Sequence, residues 1–390
     1  MNIDDNIKFI REEFPLLKTR TYLNAAASGP PMRRVSEVRL EMWKKRLEGK
    51  TARGTGNAKA EAAKLISADP EEICWVSRVT QGINIVVSMV DVGKGENIVV
   101  TDYGYPSNTY PWFSKMDAGA DIRRIENTDG AITTGDFEKV IDDNTKMVSI
   151  SSVEWNTGLR YDMKAISEIA HEHGAIVLDD AYQAVGPVKV DAHDTGVDFL
   201  VSGAGKWLCA PSSAAIFYVR KDIIEDYEPA YRFYSNIDTG GKGLGFSQEG
   251  HDNMAGYMKP VKKTVDRFNR GTVTGDAVAG LNASLEYFNM LGPGKIEERN
   301  MQLSGYLMEG LKDMGLKIHT PWDPKQRGGS VVYTLGSHEK NKKSYEAITG
   351  NNISISHRYS GGVGGIRVAP HFYNTMEDLD RLLKEQKKLL

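Results

Sequence analysis

Two short apolar runs, each closing in polar or very small residues, constrain this chain more than anything else in it. Residues 175–180, Ala-Ile-Val-Leu-Asp-Asp, read as a buried parallel strand that ends in two carboxylates at the rim of an α/β sheet. Residues 197–201 read as a second strand, and the small residues Ser202-Gly203-Ala204-Gly205 that follow leave Lys206 on open backbone beside the bulky Trp207. Two strand ends on one rim bring Asp180 and Lys206 together. By itself such a pair is as well explained by a structural ion pair fixing two loops as by catalysis.

The wording around the pair is more specific. Asp180-Ala181-Tyr182-Gln183-Ala184-Val185-Gly186, then Val197-Asp198-Phe199, then Gly205-Lys206-Trp207 with Pro211, together resemble the class V aminotransferase family of fold type I pyridoxal 5'-phosphate (PLP) enzymes. The resembling branch includes cysteine desulfurases, cystine lyases and isopenicillin N epimerase-like proteins. The resemblance implies that Lys206 holds PLP as a Schiff base and later serves as a base, which only a primary amine can do. It implies that Asp180 pairs with the pyridine nitrogen, because the ring is an electron sink only while that nitrogen stays protonated. Gln183 takes the place of a family glutamine at the cofactor's phenolic oxygen or the Schiff base.

Further matches occur in order along the chain. Thr80 in Ser77-Arg78-Val79-Thr80-Gln81-Gly82 reads as the N-cap of an apolar helix. The family places the cofactor phosphate at this turn, where free amides favour an anion, so Thr80 and Gln81 are cofactor contacts by resemblance. Tyr105 holds the place of a ring stacked on PLP, with Tyr103 as the fallback. Relatives carry an asparagine for the phenolic oxygen where this chain has Trp155, and Asn156 is one residue off. Ser202 is near the place of a phosphate-binding serine, although strict alignment puts Gly203 there, and Gly205 stands where histidine is common.

Asn24, in Asn24-Ala25-Ala26, resembles a segment lying over the active site. Arg367 takes the family's role of binding the substrate α-carboxylate, for which its planar fork is suited. Thr272, after Gly271, matches a signature by which one subunit of a homodimer reaches the phosphate of the other. The glycine-rich residues 239–250 read as a mobile surface loop near the site, and Thr375 with Asp378 as a capping box.

Composition narrows the partners. The 49 basic and 52 acidic residues nearly balance, which leaves no electrostatic footprint for nucleic acid or a membrane surface, and points to a small substrate. Two cysteines, Cys74 and Cys209, make neither a disulfide framework nor a metal cluster, so a cytoplasmic location and no metal are expected. The amino-terminal residues lack a signal-peptide pattern, and no run approaches the roughly 20 apolar residues of a membrane span.

The fold expected is α/β, of the PLP-dependent transferase type I. Residues 1–20 would form an N-terminal segment packing on the small domain, 21–275 a large PLP-binding domain with a mostly parallel seven-stranded sheet, and 276–390 a bridging helix with a smaller C-terminal α+β domain. The foremost expected function is an aminotransferase acting on a small amino acid, with a cysteine or cystine carbon-sulfur lyase or an isopenicillin N epimerase-like enzyme as the alternative. A binding protein that has lost the chemistry is the remaining reading.

Overall fold

Alternation within the apolar runs is what makes the central sheet. Val148, Val177 and Leu200 join one buried cluster with Ile166 and Ala170, whereas their neighbours Met147, Leu178 and Val201 join another with Ile83 and Val86. Successive side chains leave a strand on opposite faces, so a strand buried on both sides reads as an unbroken apolar run. The computed structural model describes residues 2–50, 56–238 and 260–390.

A two-residue strand β1 (Thr21–Tyr22) precedes the large sheet, which contains β2 (Ile73–Val76), β3 (Asn97–Thr101), β4 (Asp121–Ile125), β5 (Thr145–Ile150), β6 (Ile176–Asp180), β7 (Phe199–Gly203) and β8 (Ala215–Val219). Their order is β2-β8-β7-β6-β5-β3-β4. The run from β7 to β4 is parallel, and β8 lies antiparallel to both β7 and β2, so the seven-stranded sheet is mostly parallel as expected. Helix Val79–Met89 lies against β7 and β6, and helix Met163–Glu172 against β6 and β5.

The apolar runs at 175–180 and 197–201 form β6 and β7 as expected. Strand β4 shows no such run, because Asp-Ile-Arg-Arg-Ile is charged and mostly unburied. It is an edge strand that pairs only with β3, and charged side chains are the usual protection of such an edge.

Beyond the sheet, helix Gly275–Leu291 packs on helices Arg33–Leu47 and Ala58–Leu65. Strands β9 (Lys317–Ile318), β10 (Val331–Thr334), β12 (Ser356–Ser360) and β13 (Val363–Val368) form an antiparallel sheet of order β12-β13-β10-β9, while β11 (Ile353–Ser354) pairs in parallel with β1. Leu303, Leu307 and Leu311 of helix Pro293–Asp313 share a buried cluster with Val331, Ile366 and Val368 of that sheet. Helix Met376–Lys387 starts with the expected capping box of Thr375 and Asp378.

The chain start is tied to its end. Phe14 packs on Phe372 and Tyr373, and Asn24 bridges to Ala369. Among the described residues no helix is long and apolar enough to cross a membrane. The glycine-rich residues 239–250 lie outside the described residues.

Candidate active site

The parallel strands deliver the site residues from their carboxyl ends, the usual place for a site in such a sheet. Asp180 is the last residue of β6 and stands opposite Val201 of β7, five residues before Lys206. Between them lies a cavity of 160 Å³ lined by Thr80, Tyr105, Asp180, Gln183 and Lys206, all expected, by Trp155 and Gly203, which the resemblance aligns with site positions, and by Arg78, Ser107, Tyr182 and Ser212, which the sequence does not assign to the site.

Burial sets the protonation of the central pair. Asp180 is 4% exposed, and desolvation pushes its pKa up to about 6 against the opposing pull of Lys206 and of the Tyr182 amide. That amide donates to Oδ1 at 3.2 Å. Desolvation pulls Lys206 down to about 8, opposed by Asp180 and assisted by the charges of Arg367 and Arg358. Among the described residues Lys206 Nζ makes no hydrogen bond and no ion pair within 4.0 Å. Its near neighbours are rings: Tyr182, with the centroid at 4.0 Å, and Tyr105, at 5.3 Å.

Other expected residues fall differently. The helix begins two residues earlier than expected, at Val79 with Arg78 at its cap position, so Thr80 is not its N-cap. Thr80 instead donates its hydroxyl to Ser107 at 3.0 Å. No side chain caps this helix; Gln81 Oε1 accepts from the Ser77 amide at 2.7 Å and hydroxyl at 3.0 Å, and its side chain does not line the cavity. Ser202 is fully buried on the other face of β7 and donates to the Ala181 carbonyl. Gly203 lines the cavity in its stead, because adjacent strand residues face opposite ways.

Gln183 is held at both ends, donating to the Ala26 carbonyl at 3.1 Å and accepting from the Trp207 indole at 2.7 Å. Tyr105 stands edge-on to Trp155 at 5.5 Å, while Tyr103 is buried and donates to the Gly130 carbonyl. Asn156 supplies no group to the cavity. It is buried and donates to the Ser360 carbonyl at 3.1 Å, tying the β12–β13 hairpin to the large sheet.

That hairpin carries the remaining cations. Arg367 is 2% exposed, donates to the Trp155 carbonyl at 2.6 Å, leaves Nε without a partner, and has no ion pair among the described residues. Desolvation, with Arg358 nearby, lowers its pKa to about 9. Ser356 faces Arg367 across the ladder and donates to Asn24 Oδ1 at 2.6 Å. Arg358, two residues on, shares that face opposite Gly365, which has no side chain to cover it. Thr272 is exposed, 3.0 Å from the Tyr234 hydroxyl, and does not line the cavity.

The sequence model for class-V aminotransferases matches residues 43–382. The chain belongs to the class-V aminotransferase family. It is therefore a class V PLP enzyme, and the lining fits that group. A buried carboxylate, a lysine without a hydrogen-bond partner among the described residues and an aromatic wall meet in one cavity, with the hydroxyls of Thr80, Ser107 and Ser212 beside Arg78 to receive an anion.

Relatives within the family carry different names. A probable cysteine desulfurase of Methanothermobacter thermautotrophicus is 26% identical, covering 96% of this chain and 95% of its own. An uncharacterized aminotransferase of Bacillus subtilis, YcbU, is 26% identical over 96% of each chain. Among solved structures, the apo cysteine desulfurase of Thermococcus onnurineus superposes with a TM-score of 0.85 at 22% identity, over 98% of this chain and 97% of that one. The cystine C-S lyase C-DES, in complex with its product cysteine persulfide, gives 0.83 at 20% identity over 96% and 98%. At these identities the superpositions speak for the fold.

Proposed function

We propose that this enzyme is a carbon-sulfur lyase that cleaves the Cβ–S bond of cysteine or cystine by β-elimination. This takes up the alternative reading of the sequence in place of the aminotransferase. The curated relatives support carbon-sulfur chemistry, since those named for a sulfur reaction are cysteine desulfurases.

The observation that carries the choice of elimination is a site without a thiol. A desulfurase of the persulfide type needs a thiolate to attack the substrate sulfur. Cys74 is buried in β2, donates to Asn269 at 3.0 Å, and has its pKa pushed up to about 12 by desolvation. Cys209 is equally buried and pushed up. Neither lines the cavity, and residues 356–368 contain no cysteine.

When bound, the cofactor withdraws electrons from the substrate α-carbon and makes the α-proton acidic. Asp180, ionised above about pH 6, holds a proton at the ring nitrogen. Lys206 Nζ, brought down to about 8, offers a neutral fraction near physiological pH that removes the α-proton, and its ammonium then returns a proton to the departing sulfur. The Cβ–S electron pair leaves with sulfur. Hydrolysis of the resulting enamine gives pyruvate and ammonia.

Arg367, a buried guanidinium without a counter-anion among the described residues, binds the α-carboxylate with Asn24 and Ser356 beside it. Arg358, on the same face, suits a second anionic group such as the distal carboxylate of cystine. Tyr105, 41% exposed, and Trp155 form an aromatic wall of the cavity. Thr80, Ser107, Ser212 and Arg78 receive the phosphate, and Thr272 reaches the corresponding group of a second copy in a homodimer.

A panel of amino acids, read by absorbance and by release of keto acid and sulfide, tests the reading. Cystine or cysteine should give pyruvate with sulfur. Conversion that needs a keto acid as amino acceptor, and gives a new amino acid, would restore the aminotransferase.

A further inference from the structure

Tyr182 has no part in the chemistry above, yet it touches the reacting amine. The short turn after β6 places it. Asp180 accepts the Tyr182 amide, which folds residues 181–183 back over the strand ends. The ring then lies on Gly203 of the neighbouring strand, so closely that a Cβ added there would come within 2.6 Å of the ring carbon. The Gly205 amide donates toward the phenol oxygen, and burial raises the phenol's pKa to about 12, so it stays neutral. One side chain is thus fixed at three points around the turn that carries Lys206.

We propose that Tyr182 is the positioning residue for Lys206: its π-face holds the ammonium form, for which the described residues offer no hydrogen bond or carboxylate contact. The inference rests on the reading that Lys206 is the cofactor-bearing lysine. A cation over a neutral ring is attracted by the ring quadrupole, whereas an amine is not, so the contact favours the charged form and works against desolvation. A ring also makes no directed bond to Nζ. The neutral amine keeps its lone pair free for bond formation, which a hydrogen bond donated to Nζ would block.

Around Lys206 the titratable and charged groups are Asp180 from β6, Tyr105 and Tyr182 from the two loops facing it, and Arg367 and Arg358 from the hairpin; Arg78 lines the same cavity. Among the described residues only Tyr182 brings its ring as close as 4.0 Å. The sign follows directly. Removing the ring disfavours the ammonium, lowers the pKa of Lys206, and moves attachment of the cofactor to lower pH.

The test uses the full chain freed of cofactor. PLP is added across a pH series, the adduct is trapped with borohydride, and the rate of labelling of the Lys206 peptide is measured. Tyr182→Leu should shift the half-maximal pH down by about one unit, and Tyr182→Phe, which keeps the ring, should stay with the parent. A pentafluorinated phenylalanine at position 182 keeps the ring's size and reverses its quadrupole. It should shift the midpoint in the same direction as Tyr182→Leu, and it serves if the leucine variant fails to fold. Midpoints that coincide in parent, leucine and fluorinated proteins would overturn the inference, as would a Tyr182→Phe shift equal to that of leucine. Parent protein labelled at some lysine other than Lys206 would instead refute the reading of the site beneath it.

Discussion

Replacing Arg367 by lysine isolates the carboxylate clamp. Arg367 is held by a single bond to the Trp155 carbonyl, which leaves the rest of its fork for a substrate. A lysine at this depth carries one ammonium and cannot make two parallel bonds to a carboxylate. Losing one hydrogen bond to a charged group costs about 1.5–3 kcal/mol, which is a drop of about 10- to 150-fold in kcat/KM for amino-acid substrates. Cofactor occupancy should stay at the parent level, because Arg367 lies on the hairpin and does not line the cavity. The assay is kcat/KM for cystine and cysteine, alongside cofactor absorbance and the slow reaction with a simple amine lacking a carboxylate. The amine should be indifferent to the change. Equal losses for amine and amino acid, or an unchanged kcat/KM for both, would refute the clamp.

Lys206→Ala should abolish borohydride-stable cofactor attachment, since no other lysine among the described residues lines the cavity; persistence of a reduced adduct would show another lysine at work. Asp180→Asn should retain bound cofactor while losing most turnover, and turnover at the parent rate would remove Asp180 from its role. Glu154→Gln should change the pH dependence of stability. Glu154 is buried, accepts from Thr101 and Tyr161 through one oxygen, leaves the other unpartnered, and has its pKa raised by desolvation to about 8. A carboxyl whose folded pKa lies above its unfolded value, about 4, stabilises the fold at low pH and loses that contribution as pH rises to 8. Thermal melts of the glutamine variant should therefore gain on the parent between pH 5 and 8, and parallel curves would show that Glu154 is already ionised.

The residues that the sequence made legible are those whose roles follow from strand ends and chain spacing. Asp180 and Lys206 meet because two apolar runs stop at one rim, and that needs only the period of a strand. Arg367 and Asn24 meet through Ser356, a contact across more than 330 positions that resemblance supplied and spacing could not. Two misses are shifts by one or two residues. Ser202 and its neighbour Gly203 face opposite sides of β7, and the helix expected to be capped by Thr80 starts at Val79. Such shifts flip a side chain to the far side of a sheet or around a helix, and composition does not resolve them. Tyr182 escaped notice for a different reason. A tyrosine next to a glutamine carries no signal of its own, and its place depends on Gly203 being bare.

The most direct measurement of the central claim is the product balance from cystine in a protein carrying both Cys74→Ser and Cys209→Ser. Elimination at the thiol-free site predicts one pyruvate and one ammonia for each Cβ–S bond broken, at the parent turnover rate. Alanine in place of pyruvate in the parent, lost when the cysteines are replaced, would contradict the account and assign the sulfur to a protein thiol.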